Sequence, residues 1–266
     1  MTHSTCLNCD TELNDKFCAH CAQPADTQRI SLKHFVFHDI LHGTFHLDKG
    51  ILFTAKESLL RPGQAALDYI SGKRKRYYNV FYLILIMIGL ILFLRHFNEV
   101  LDISQSENIA EKPAYLNEAS RKLDEIFAQK SKIIIFLFVP FVALNSYLLF
   151  KLKKLNFSEH AIIAGMILLG MLLISAAGNL FFYLDLIIPF SNTFADVMSI
   201  IVTILVLFHI GYGYYNAFAS DYTKGQIALR LFLMFALLFI EILLLFLLVF
   251  GILSDWRFGK VEVSPF

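Results

Sequence analysis

The sequence has no surplus of charge and no recognisable catalytic motif. Its 23 Lys and Arg residues nearly balance its 22 Asp and Glu residues, so net charge does not indicate a nucleic-acid partner. It contains no Gly-rich phosphate loop with Lys, no Gly-x-Ser-x-Gly elbow and no His-Glu-x-x-His pair, the motifs that would indicate common enzyme classes. We therefore predict that the protein is not an enzyme and does not bind nucleic acid.

An apolar run near the N-terminus is also missing. Residues 1–30 are polar and contain all four cysteines of the chain, which predicts that no signal peptide is cleaved. Apolar residues are instead concentrated later in the chain and make up 57% of the whole, including 27 Phe. This share is higher than in soluble domains and indicates a membrane protein.

Five apolar runs are long enough to be transmembrane helices, which need about 20 residues each. They are Val80 to Phe97, Ile133 to Phe150, Ala161 to Leu184, Phe194 to Phe218 and Ile227 to Leu253. The predicted fold is therefore mainly α, a polytopic helical membrane protein of about five spans, preceded by a small four-cysteine zinc ribbon. The predicted regions are a ribbon at 1–27, juxtamembrane amphipathic helices at 28–79, a helical bundle at 80–254 with an external amphipathic loop at 98–132, and a tail at 255–266.

The orientation follows from basic residues in short loops, which favour the cytoplasmic side. Lys73 to Arg76 precede the first run, three lysines follow the second, and Lys224 and Arg230 flank the start of the fifth. The loop between the third and fourth runs has no Lys or Arg. We predict a bacterial inner-membrane protein with a cytoplasmic N-terminus and an external C-terminus. Basic residues in the loop after the first run weaken this pattern, and an amphipathic segment there, Pro113 to Ser131, fits either a surface helix or an extension of the second span.

All four cysteines lie in the segment CLNCDTELNDKFCAHC, as Cys6, Cys9, Cys18 and Cys21. Two Cys-x-x-Cys pairs at this spacing are typical of one tetrahedral four-thiolate zinc site. Disulfides are the rival interpretation, but they are rare in a reducing cytoplasm. Because protein ligands fill all four positions, the predicted zinc ion is structural.

The cysteine segment resembles the short zinc ribbon that begins many bacterial proteins, with Phe17 as the aromatic residue before Cys18. The segment FHLDKGILFTAKESLLRPGQAALDYISGKRKRYYN looks like the signature of an uncharacterised family, found largely in Bacteroidetes, that joins such a ribbon to a multi-span membrane region. Ala22 departs from the usual Gly after the last cysteine, and Val80 from the Pro that often follows the Asn. The resemblance implies an architecture and no activity.

Short apolar segments between the ribbon and the first span have two interpretations. They are either helices lying in the membrane interface or a small helical domain packed on the spans. In the first case Lys73, Arg74, Lys75 and Arg76 contact anionic lipid headgroups. A second metal site is a weaker hypothesis, based on the four-residue spacing of His34, His38, His42 and His46.

Two ionisable residues lie inside predicted spans, Glu241 and His209. His209 shares a helical face with Tyr212 and Asn216, which we expect to provide Glu241 with a partner, together with Asn145 and Asn179. The first functional hypothesis is a scaffold whose cytoplasmic ribbon docks a protein partner or part of its own membrane region. The alternative is a small transporter or channel using Glu241 and His209; a lipid-modifying enzyme is a third, weaker idea.

Overall fold

The computed structural model describes residues 5–27, 30, 50–105, 138–186, 188 and 190–253. Seven α-helices lie in these residues: α1 (Gly50–Leu60), α2 (Pro62–Ile70), α3 (Val80–Gln105), α4 (Phe138–Leu149), α5 (Phe157–Phe182), α6 (Asn192–Phe218) and α7 (Lys224–Leu253). A 3₁₀ turn, Tyr183–Leu186, follows α5. The predicted external loop helix, the four-histidine segment and the tail at 255–266 lie outside the described residues.

Three helical segments are long and apolar enough to cross a membrane: Phe157–Asp185, Thr193–Phe218 and Lys224–Ile252. The apolar parts of the other two predicted spans are shorter within the described residues, Val80–Leu94 and Phe138–Leu149. The chain is thus a mainly helical protein with the features of a membrane protein, and the total of five spans remains a prediction.

Helix α5 is the central helix of the bundle. In its most apolar window 67% of residues are buried, against 11% in the corresponding windows of α6 and α7. It packs against α1, α2, α3 and α6, and small residues such as Gly165 let the Phe81 ring approach closely. Its first turn is closed by a capping box between Asn156 and Glu159, which satisfies backbone N–H groups that would otherwise lack partners.

Helices α1 and α2, joined at Arg61, form a helical hairpin that packs on α5 and α6. The end of α1 reaches Gly170, midway along α5, where a Cβ would lie 2.5 Å from the Ser58 carbonyl oxygen. The start of α2 contacts α6 so closely that a Cβ on Gly63 would lie 2.4 Å from the Ala217 nitrogen. This packing agrees with the interpretation of the segments before the first span as a small helical domain packed on the spans, and not as helices lying in the membrane interface.

Three connections meet at the end of the bundle where α5 begins, here called the ribbon end. The loop after α4 contacts the turn before α7: the Leu152 N–H donates to the Tyr222 hydroxyl at 2.9 Å, and Lys153 pairs with Asp221 at 2.5 Å. Stacked rings of Phe150 and Phe218, with centroids 4.4 Å apart, pack beneath them. The third connection, residues 71–79 between α2 and α3, is the basic loop, and the N-terminal ribbon lies on it.

Candidate metal centre

The N-terminal ribbon (residues 5–27) consists of two similar turns, each carrying two cysteines. In the first, the Cys6 N–H donates to the Thr11 carbonyl at 2.8 Å and the Asp10 N–H donates to the Cys6 carbonyl at 2.9 Å. In the second, Cys18 and Ala22 make the matching bonds. Each turn is flanked by one isolated β-bridge, and no β-strand occurs among the described residues.

Both turns need a left-handed residue directly after their second cysteine. Asp10 has φ of 60° and Ala22 has φ of 57°, a conformation that costs L-residues other than Gly, Asn and Asp roughly 1–2 kcal/mol. The replacement of the usual Gly by Ala22 therefore leaves the turn intact and adds backbone strain. A metal bound by the cysteines would be the strongest source of folding free energy available to offset this cost in so short a segment.

The four sulfur atoms form a compact cluster. Sγ of Cys6 lies 3.5 Å from Sγ of Cys21, Sγ of Cys9 lies 3.6 Å from Sγ of Cys18, and all four lie within 4.8 Å of one another. A zinc ion bound tetrahedrally at about 2.3 Å would place its sulfurs about 3.8 Å apart. The predicted ligand set is therefore brought together, with the spacing and donor chemistry of a site that could hold a metal ion.

The surroundings of the sulfurs differ in polarity. A hydrogen bond from the Thr11 hydroxyl, 3.3 Å from Sγ, is the main reason that the pKa of Cys9 is lowered to about 5. Burial raises the pKa of Cys21 to about 11. A divalent cation bound among them would favour the thiolate form of every ligand and displace the remaining protons. His20, between two cysteines in sequence, is exposed.

The ribbon lies directly on the basic loop, and Gln23 makes the principal contact. This side chain is only 3% exposed. Its amide nitrogen donates to the Gly72 carbonyl at 2.8 Å, and its amide oxygen accepts from the Lys75 N–H at 3.3 Å. A buried amide with both ends satisfied fixes the relative position of the ribbon and the loop.

Further contacts surround Gln23. The Arg76 guanidinium donates to the Asn8 carbonyl at 2.9 Å. Gly72 has φ of +108°, and a Cβ there would lie 2.6 Å from the Leu7 side chain. On the other side, the buried Ile30 accepts from the Asn156 side chain at 2.9 Å, next to the start of α5. The ribbon thus contacts the basic loop, and Ile30, just after the ribbon, contacts the residue that caps the central helix.

Three of the four basic residues that were predicted to contact lipid headgroups have side-chain contacts within the protein. Lys73 pairs with Asp68 at 2.9 Å, Arg74 lies over the Tyr69 ring at 5.8 Å, and Arg76 contacts the ribbon. Lys75 and Arg76 are exposed.

The polar face of α6 lies against the hairpin. The Tyr212 hydroxyl donates to the Leu60 carbonyl at 2.9 Å. Asn216 accepts from the Gln64 N–H, and its carbonyl accepts from the Gln64 side chain, both at 2.8 Å. The buried His209 ring lies beside Ser58 and Gly170. This face was expected to provide a partner for Glu241, and it lies against α1 and α2 instead.

Glu241 has a different partner, Asn145 of α4, whose amide donates to the carboxylate at 2.9 Å. Of the two asparagines expected near Glu241, Asn145 is therefore present. Asn179 is not, since its amide donates to the Ser175 carbonyl one turn earlier in its own helix. Asp185 and Asp196 are exposed.

The hairpin carries a charged cluster that was not predicted from the sequence. Arg61, between α1 and α2, forms an ion pair with Glu57 and lies 4.0 Å from Asp68. Glu57 is buried at 7% exposure, although it belongs to an apolar helix. The Glu-x-x-x-Arg spacing of these residues was the available signal, because charges four apart on a helix are neighbours.

Comparison with known protein families gave a match to part of the chain. Searches against curated proteins and against solved structures gave no significant match. Residues 48–91, which comprise the hairpin, the basic loop and the first part of α3, match the model of a protein family of unknown function, DUF3667.

Proposed function

We propose that this chain is an integral membrane protein whose zinc-loaded, cytoplasmic ribbon docks on its own membrane helices and holds the hairpin and basic loop against α5. The observation that carries the proposal is the burial of Gln23 between Gly72 and Lys75. Moving the ribbon off the loop would break both long-range hydrogen bonds of this buried amide, which supports a stable contact between the two.

The cytoplasmic orientation is supported by where the basic loops meet. Residues 73–76, 151–154 and the start of α7 all lie at the ribbon end, whereas the connection between α5 and α6 at the opposite end has no Lys or Arg. This is the distribution that the positive-inside rule describes. In a cytoplasmic setting the thiols stay reduced and available to zinc, and exposed Lys75 and Arg76 can contact anionic headgroups of the inner membrane.

The test replaces Cys18 and Cys21 with Ser and measures bound zinc together with amide hydrogen exchange of residues 71–79. We expect loss of zinc and faster exchange of the basic loop, with α5 to α7 still protected. A companion variant, Gln23→Ala, should accelerate the same amides while zinc remains bound. Asn14→Ala, an exposed position on the ribbon, is the matched control and should change neither reading.

Slow exchange of the loop in zinc-free protein would refute the docking role. Capture of a partner protein by the native ribbon and not by the Cys18, Cys21 variant would extend the role to scaffolding. The absence of such capture would limit docking to the chain itself.

A second candidate, a transporter or channel, is favoured by the depth of the hairpin. The Ser58 carbonyl of α1 lies beside Gly170, midway along α5. The neighbouring Glu57 and Arg61 are therefore far from both ends of α5. Charged residues at membrane depth are costly and commonly mark solute pathways, and re-entrant segments occur where they line a cavity or are buried in protein. Such a pathway would pass the hairpin and the His209 face, and Glu241 would only stabilise helix packing.

Flux in proteoliposomes separates the candidates. A transporter should lose flux in Arg61→Gln and retain it in Glu241→Gln. If vesicles with the wild-type protein showed no flux of inorganic ions, protons or amino acids, the transporter would be rejected and docking would be the only remaining candidate.

A further inference from the structure

A cleft of about 540 Å³ opens at the ribbon end, where three parts of the chain meet. The ribbon contributes Leu7 and Thr27, and the connection into α5 contributes Lys153 to Leu155 with Glu159. The end of α2 and the basic loop contribute Ile70, Ser71, Gly72 and Arg74. The cleft exists only where the ribbon lies on the loop, so the inference below rests on the docking proposed above.

The charges lining this cleft favour an anion. Arg74, Lys153 and Lys154 line it together with one carboxylate, Glu159. Glu159 is 2% exposed, and its carboxylate accepts from the Asn156 N–H in the capping box at 2.8 Å. The acid is therefore turned toward the backbone of α5, while Lys153 is shared with Asp221 at 2.5 Å. Among the described residues that line the cleft, three carry a positive charge and one carries a negative charge.

The cationic groups of the cleft have the chemistry of phosphate ligands. Thr27 and Ser71 donate their hydroxyl protons to the carbonyls of Pro24 and Asp68, at 2.7 and 2.8 Å. One guanidinium and two ammonium groups also line the cleft, and such groups are the usual partners of phosphate oxygens. Lys154 adopts φ of 50°, a left-handed backbone conformation unfavourable for Lys, and this turn holds its side chain at the cleft.

The exposed apolar face of α4 favours a lipid over a small anion. A second cavity of about 310 Å³ adjoins the first and shares Lys154 and Leu155 with it, and its other walls are Tyr147, Phe150, Lys151 and His160. Beside this cavity, α4 exposes apolar side chains, with Tyr147 at 44% and Leu148 at 51%. A phosphate held by the basic wall would thus have the apolar face of α4 next to it, suited to an acyl chain.

We propose that this cleft is a binding site for the phosphate ester of an anionic glycerophospholipid, with the phosphate at Arg74 and Lys154 and the acyl chains along α4. The bound lipid would link the ribbon, the basic loop and the start of α5. This goes beyond a general attraction between surface lysines and anionic headgroups, because the ligand is held by residues from three separate segments.

The experiment measures binding of dioctanoyl phosphatidylglycerol and dioctanoyl phosphatidylcholine to the full-length, zinc-loaded protein in a neutral detergent. We expect the anionic lipid to bind at least tenfold more tightly. Lys154→Asn removes the charge and keeps a residue that tolerates the left-handed backbone, and Arg74→Gln removes the second charge. Each should weaken binding about fivefold, the factor expected for about 1 kcal/mol per basic side chain.

The matched control is Lys224→Gln, an exposed lysine at the start of α7 that should leave affinity unchanged. Equal loss in this control, or unchanged affinity in both cleft variants, would overturn the proposal in favour of nonspecific surface attraction. Inorganic phosphate competing as well as the lipid would support the phosphate site and assign it to a soluble phosphate ester. Hydrogen exchange on the same samples separates the two proposals: a protected basic loop without lipid selectivity rejects the cleft alone, whereas an unprotected loop rejects the docking.

Discussion

Replacing Gly63 with Ala should separate the hairpin from α6. A Cβ at this position would lie 2.4 Å from both the Ala217 nitrogen and the Gly213 carbonyl oxygen, and 2.8 Å from the Ala217 Cα. All three are backbone atoms of a helix, so no side-chain rotation relieves the overlap. Ordinary contact begins at 3.4 Å, and α2 must therefore move away by about 1 Å.

The expected cost combines strain with lost hydrogen bonds. Overpacking of this kind costs about 1–3 kcal/mol. Moving α2 also lengthens the two bonds between Gln64 and Asn216, now 2.8 Å each, and an interhelical bond in a membrane contributes about 0.6 kcal/mol on average. We expect Gly63→Ala to lower the free energy of unfolding by about 2 kcal/mol or more.

The measurement is reversible unfolding in mixed detergent micelles, followed by circular dichroism. Gly89→Ala is the matched control, because a Cβ on Gly89 of α3 meets no atom within 4 Å. In the control, the better helix propensity of Ala should raise stability by about 0.5–1 kcal/mol. If both variants changed stability in the same direction and by similar amounts, the close packing of α2 on α6 would be refuted.

Three further predictions concern single contacts. Ala22→Gly should relieve the left-handed strain at φ of 57° and so increase zinc affinity by about fivefold, which corresponds to about 1 kcal/mol of binding free energy. Transfer of zinc to a chelator should therefore be slower, and faster transfer would contradict the prediction. Tyr212→Phe should lose the bond to α1 and about 0.6 kcal/mol of stability, while Tyr215→Phe, at a 43% exposed ring, should lose less. A double-mutant cycle between Asn145→Ala and Glu241→Gln should give a coupling energy near 0.6 kcal/mol, and additive effects would show that their 2.9 Å contact contributes nothing.

The helices and the cysteine cluster could be predicted from the sequence because their signals are local. A long apolar run has few alternatives to a helix in a membrane, and the described helices α5, α6 and α7 begin within four residues of the predicted runs. The short segments before the first span were also expected to be helical, as α1 and α2 are. Likewise, Cys-x-x-Cys spacing fixes which sulfurs can share one ion.

The contacts between these elements could not be predicted because they depend on how each helix is rotated and on what covers it. An apolar helix rich in small residues fits a membrane surface and a helix interface equally well, so the position of α1 and α2 was left open. The polar face at His209 and Tyr212 was recognised, but its neighbour was not. Gln23, the residue that fixes the ribbon, carries no periodic or motif signal and is identified only by its burial.

The position of the hairpin also constrains the order in which the protein is assembled. Helices α1 and α2 precede α5 and α6 in the chain, yet they pack on both. During synthesis the hairpin, with Glu57 and Arg61, can therefore reach its final packing only after the later helices have been made. A nascent chain stopped before Phe157 lacks the two helices on which the hairpin packs, so the fold of the N-terminal third is completed only by the C-terminal half.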